Sequence, residues 1–133
     1  MKTRALLTLA VAALGAFPLA AADAWTIDRS HSDVSFQVRH FVSKTRGRFK
    51  DFSGTIQVDP AKPEAASVEF TIQTASIDTT DEKRDGHLKS PDFFDAEKNP
   101  TITFKSSSVK STGKDKYDVT GALTMHGVTK TVT

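Results

Sequence analysis

Four basic residues, Lys44, Arg46, Arg48 and Lys50, recur at every second position of one short stretch. Side chains of an extended strand alternate between its faces, so all four charges project the same way. Such a row suits a diphosphate headgroup or an anionic bilayer surface. It equally suits a solvated outer face, or a charged edge that discourages strand-to-strand association. Asp51 is the one acid that follows as a partner. Upstream, Ser30-His31-Ser32-Asp33 holds every residue type of a serine triad. Only His31 and Asp33 share a side there, whereas a triad needs three side chains converging in line. A turn before a strand is the favoured reading, with a hydrolase using His31 and Asp33 as its rival. His31, His40, His87 and His126 fall in separate segments without HxxxH or HxH spacing, so no metal site is expected. Cysteine is absent, which removes disulfides, thiolate ligands and thiol nucleophiles. No phosphate-loop or dinucleotide glycine pattern occurs and no cofactor is expected; Gly47 reads as a bulge or a close backbone approach.

These residues are carried by strands. Val34, Phe36 and Val38 alternate with Ser35, Gln37 and Arg39, the pattern of a strand with one wet face. The alternation returns at Ile56 and Val58, at Val68, Phe70 and Ile72, at Ile102 and Phe104, and at Tyr117 and Val119. Strands at such short spacing predict an antiparallel sandwich or barrel. Lys44 to Lys50 and Thr55 to Val58 read as a hairpin-like pair around Asp51 to Gly54, and Ser67 to Ile77 as one long strand. The pattern breaks at Asp78. Thr79 to Lys89 favours helix, with Thr79 and Glu82 spaced as a capping box and Arg84, His87 and Leu88 on one face. Ser90-Pro91 ends that helix and starts a further short turn. Strands follow over Thr101 to Lys110, Lys116 to Met125, and from Val128 onward.

The ends read differently. Met1-Lys2-Thr3-Arg4 precedes an apolar run from Ala5 to Ala22 interrupted by Gly15 and Pro18. A basic start, a short apolar run and small residues describe a secretory signal peptide over residues 1–22. Of 18 basic and 16 acidic residues, Lys2 and Arg4 leave with it, so the mature balance is 16 of each. A neutral chain gives no argument for nucleic acid. Residues 23–133 then make one domain of modest core. The run from Val128 to Thr133 begins a strand and stops, so the expectation is a fragment lacking C-terminal strands, with its last strand an unpaired edge prone to self-association.

DRSHSDVSFQVRH (Asp28 to His40), RGRFKDFSG (Arg46 to Gly54), RDGHLKSPDFFD (Arg84 to Asp95) and GALTMHGVTK (Gly121 to Lys130), in this order, resemble the YceI-like family of exported polyisoprenoid-binding proteins. The resemblance runs from about Trp25 to the end of the chain, and the family continues for several strands beyond it. It implies an all-β, lipocalin-like antiparallel β-barrel with one short helical insertion, here incomplete at its C-terminus. Alternation alone favours a barrel filled by side chains over one holding a ligand. The resemblance reverses that preference and implies an apolar tunnel for an isoprenoid or isoprenoid quinone. Candidate lining residues are Phe36, Val38, Phe70, Ile72 and Phe104 on strands, with Leu88, Phe93 and Phe94 from the insertion. Lys44, Arg46, Arg48, Lys50 and His87 are candidates for the headgroup or an anionic surface. Arg84 and Asp85 are expected to tie the insertion to neighbouring strands.

Taking about 40 carbons out of water at about 0.8 kcal/mol each would give about 32 kcal/mol, above the ceiling of about 18–21 kcal/mol for noncovalent affinity. The chain's real reference state is a membrane, where it is already dry, so carriage or storage by exchange with bilayers is the implied role, with transient membrane contact and no covalent chemistry. A homo-oligomer is left open. The rival to a tunnel is a module docking on anionic membrane or a protein partner through Lys44 to Lys50. An export signal without a lipid-attachment cysteine points to the periplasm.

Overall fold

The computed structural model describes residues 22–40 and 43–133. The signal peptide expected over residues 1–22 therefore lies, but for Ala22, outside the described residues. The elements are β1 (Asp23–Thr26), β2 (Val34–His40), β3 (Ser43–Phe49), β4 (Phe52–Val58), β5 (Ser67–Gln73), β6 (Ile77–Asp78), α1 (Glu82–Lys89), β7 (Thr101–Gly113), β8 (Lys116–Met125) and β9 (Val128–Val132). All described pairing is antiparallel, in a six-stranded sheet of order β1-β4-β5-β7-β8-β9 and a three-stranded sheet of order β2-β3-β6. The all-β class and the single helical insertion match the expectation. β9 is paired along β8, with Met125 opposite Val128 and Gly121 opposite Val132, so the last strand has a partner on one side where none was expected.

The hairpin expected of β3 and β4 does not form, because the two strands belong to different sheets. The chain crosses between sheets at Lys50-Asp51, and a second crossing at Thr74–Ser76 takes β5 into β6. The crossings satisfy each other's backbone: Lys50 N donates to Ser76 O at 3.1 Å and Gln73 N to Asp51 O at 2.9 Å. Corners of this kind let one chain serve two packed sheets without orphaning polar groups. They also break the long strand expected from Ser67 to Ile77. The reward is burial: Phe49 and Ile77 from the small sheet meet Phe52, Ile72 and Ile102 from the large one in a single cluster. Each such side chain contributes about 1.5–3 kcal/mol on leaving water. Phe70 stacks on Phe52 with ring centroids 6.0 Å apart and stands opposite Gly54.

The helix is held by capping and by a small polar knot. Asp81, not Thr79, is its cap: Arg84 N donates to Asp81 Oδ1 at 3.0 Å. Thr79 is 3 % exposed and turns inward, its amide and hydroxyl both donating to Asp85 Oδ1 at 2.8 and 2.6 Å. Arg84 completes the knot, Nε donating to Thr79 Oγ1 at 2.7 Å and Nη2 to Thr79 O at 2.8 Å. The hydrogen bonds of Arg84 and Asp85 thus hold the helix to Thr79, the residue that follows β6. Past the helix, Ser90 O accepts from Phe93 N and Asp95 N in a tight turn, which delivers Phe93 and Phe94 beside α1.

Candidate functional site

A cavity of about 740 Å³ lies between the small sheet, α1 and the adjoining ends of β7 and β8. Its wall is built by periodicity. Val34, Phe36 and Val38 face inward from β2, while β3 turns Thr45, Gly47 and Phe49 the same way by sending Lys44, Arg46 and Arg48 outward. Phe36 and Val38, Thr45 and Phe49, Leu88, Phe93 and Phe94, Ile102 and Met125 line the space, with Thr79, Arg84 and His87 as further polar lining. The three helical residues expected on one face, Arg84, His87 and Leu88, all contribute. Aromatic contacts knit the wall, since Phe36 and Phe49 centroids are 5.7 Å apart and Phe49 meets Phe94 edge-on at 5.9 Å. The rim is apolar and wet: Val38 is 51 %, Phe93 50 % and Met125 41 % exposed.

Of the residues anticipated as lining, Phe36, Val38, Leu88, Phe93 and Phe94 come together here. Phe70, Ile72 and Phe104 do not reach this wall. Ile72 is buried in the core, and Phe104 stands opposite Phe70 and Leu123 in the large sheet. Phe49, Ile102 and Met125 were missed. Phe49 was readable as the inward counterpart of the basic row and Ile102 as the strand neighbour sharing a face with Phe104, while nothing in the local pattern singled out Met125.

The basic row splits. Arg48 Nε and Lys50 Nζ lie 3.4 and 3.7 Å from Asp78 Oδ2, a partner from β6 that sequence did not supply, and Asp51 is taken by Arg29 at 3.2 Å. The Asp78 carboxyl is held below its ordinary value, first by the Thr80 amide and then by the charges of Lys50 and Arg48. Lys44 and Arg46 remain exposed on the outer face, with Arg39 opposite Lys44 in the strand register. His87 stands at the cavity lip, Nε2 3.2 Å from Asp92 Oδ2 and its ring edge-on to Phe93 with centroids 4.9 Å apart.

His31 does not pair with Asp33. Its Nδ1 lies 2.7 Å from Asp28 Oδ2 and 3.1 Å from Ser30 Oγ, and Ser30 Oγ donates to Asp28 Oδ1 at 2.6 Å. A triad sends one imidazole nitrogen to the nucleophile and the other to the acid. Here a single nitrogen faces both, in an exposed turn that binds its own backbone through Ser30 N. Among the described residues no three His, Asp or Glu side chains converge as a metal site.

The chain is thus a two-sheet antiparallel β protein with an apolar cavity and one capped helix laid against it. Residues 25–133 match the model of the YceI-like domain. A UPF0312 protein of Azotobacter vinelandii is 46 % identical over 134 residues, covering 98 % of this chain and 69 % of that one. The crystal structure of Burkholderia cenocepacia BcnA aligns with a TM-score of 0.77 at 39 % identity, over 80 % of this chain and 67 % of BcnA. A polyisoprenoid-binding domain of Saccharophagus degradans, implicated in plant cell wall breakdown, shares the fold at 15 % identity and a TM-score of 0.54. The chain belongs to the YceI-like family. It spans about two-thirds of the length of these relatives.

Proposed function

We propose that the cavity holds a polyisoprenoid or similar long-chain amphiphile, for carriage or storage, without covalent chemistry. The observation that carries this reading is the wall itself: eight apolar side chains from β2, β3, α1, the turn after it, β7 and β8 line about 740 Å³, within the range of about 300–1,000 Å³ common to small-molecule sites. The binding described for the Saccharophagus degradans domain supports the ligand class at the level of the fold. The rim of Val38, Phe93 and Met125 suits entry of a chain from a bilayer. Arg39, Lys44 and Arg46, on the outer face of the same two strands, suit transient contact with anionic headgroups. In this reading the protein is exported to the periplasm and its signal peptide removed. In the same reading the two sheets are parts of one lipocalin-like barrel.

Native mass spectrometry with solvent extraction, on protein purified from its export compartment without detergent, tests the reading. Bound isoprenoid or quinone near one-to-one is the expected result. An empty, folded protein that also takes up no octaprenol from vesicles would overturn it.

A further inference from the structure

The wall has one position with no side chain. Gly47 lies between Thr45 and Phe49 on the inward face of β3, directly opposite Phe36 of β2. A Cβ placed there would sit 2.8 and 2.9 Å from Phe36 Cε1 and Cε2, and closer still to Cζ. Ordinary carbon contacts lie at about 3.5–4.0 Å, so the phenyl ring occupies the space that a side chain at this position would fill. The Phe36 ring lines the cavity and covers Gly47 from that side, which fixes where a displaced ring would go. It cannot pass through the sheet, and Phe49 stands beside it with centroids 5.7 Å away.

We propose that Gly47 sets the girth of the cavity, by letting the Phe36 ring lie flat on β3 instead of standing in the lumen. The ligand class that needs this room is a methyl-branched isoprenoid chain, thicker than a straight acyl chain, and in this the inference rests on the lipid-holding reading above. Gly47 is thereby a specificity-determining position that touches no headgroup and no reacting atom.

The test uses the full chain, with octaprenol in vesicles as one probe and a straight-chain fatty alcohol as the other. Gly47→Ala should lower octaprenol uptake by about tenfold or more, as expected when a packed wall is overfilled, and lower uptake of the straight chain less. The double variant Phe36→Ala/Gly47→Ala should recover octaprenol uptake, which a merely misfolded protein would not. Equal loss for both probes, or no recovery in the double variant, overturns the proposal. The crystal structure of Gly47→Ala decides it separately: a ring moved into the cavity supports it, and an unmoved ring overturns it even if the unaltered protein takes up neither probe. Failure of the unaltered protein to bind octaprenol would instead count against the proposed function.

Discussion

Phe94 meets Phe49 edge-on, with ring centroids 5.9 Å apart and planes at 82°, so the turn that follows the helix is fastened to the small sheet across the wall of the cavity. Because Phe94 is half-buried, its removal should cost less than a full core phenylalanine. We expect Phe94→Ala to destabilise the fold by about 2–4 kcal/mol, read by urea denaturation. A loss below 0.5 kcal/mol, on the order of a surface substitution, would mean the contact does not hold the turn in place.

The knot at Thr79 should matter to the helix more than to the sheets. Asp85 Oδ1 accepts from both the amide and the hydroxyl of Thr79, so Asp85→Ala strands two donors in a nearly buried site. A loss of about 1–3 kcal/mol is expected. Hydrogen exchange should rise first in α1, with β7 and β8 unaffected. Uniform exchange across the domain would show that α1 is not a separately held element.

Acid should loosen the small sheet through Asp78. Its folded-state pKa lies below the ordinary value of 3.8, first through the Thr80 amide and then through Lys50 and Arg48. A depressed carboxylate pKa contributes stability that is complete above the unfolded value and is lost as pH falls through the folded one. Thermal melts should therefore be flat above about pH 5 and fall below about pH 4. Asp78→Asn should melt lower at neutral pH and lose less on acidification; an identical acid profile in the variant would remove Asp78 as a cause.

Contact with anionic vesicles should depend on the outer cations that lack a described acidic partner. Lys44→Glu/Arg46→Glu should slow lipid uptake from anionic vesicles and leave uptake from neutral vesicles unchanged. Salt at about 1 M, where the Debye length is about 3 Å, should abolish the difference between the two vesicle types. Salt-indifferent uptake by both proteins would place membrane contact elsewhere.

Much of this site was legible in the alternation. Reading Lys44, Arg46 and Arg48 as an outward row fixes Thr45, Gly47 and Phe49 as the inward one, and Arg84, His87 and Leu88 share their helical face as spacing predicts. The sheet crossings were not legible. Lys50-Asp51 looks like any polar turn, and only its hydrogen bonds to the Gln73–Ser76 segment reveal that β3 and β4 part company. For the same reason Phe70, Ile72 and Phe104 looked like wall residues: period two tells which side of a strand is dry, not which of two dry spaces it faces. Asp78 was hidden as a partner of Arg48 because thirty residues of chain separate the pair. The capping box failed at Thr79 because a more deeply placed carboxylate, Asp85, claimed its hydroxyl.

Phe36 over Gly47 in one sheet and Phe70 over Gly54 in the other are the same arrangement with different evolutionary freedom. At Gly47 the three nearest obstructions to a new side chain are all atoms of the Phe36 ring, so a lineage can replace the glycine once the phenylalanine has first become smaller. At Gly54 Ile27 Cδ1 and the Glu69 carbonyl stand in the way as well, at 2.5 and 3.0 Å, and shrinking Phe70 alone opens nothing. The cavity wall can thus be retuned in two ordered substitutions, while the corresponding place in the supporting sheet stays closed to them.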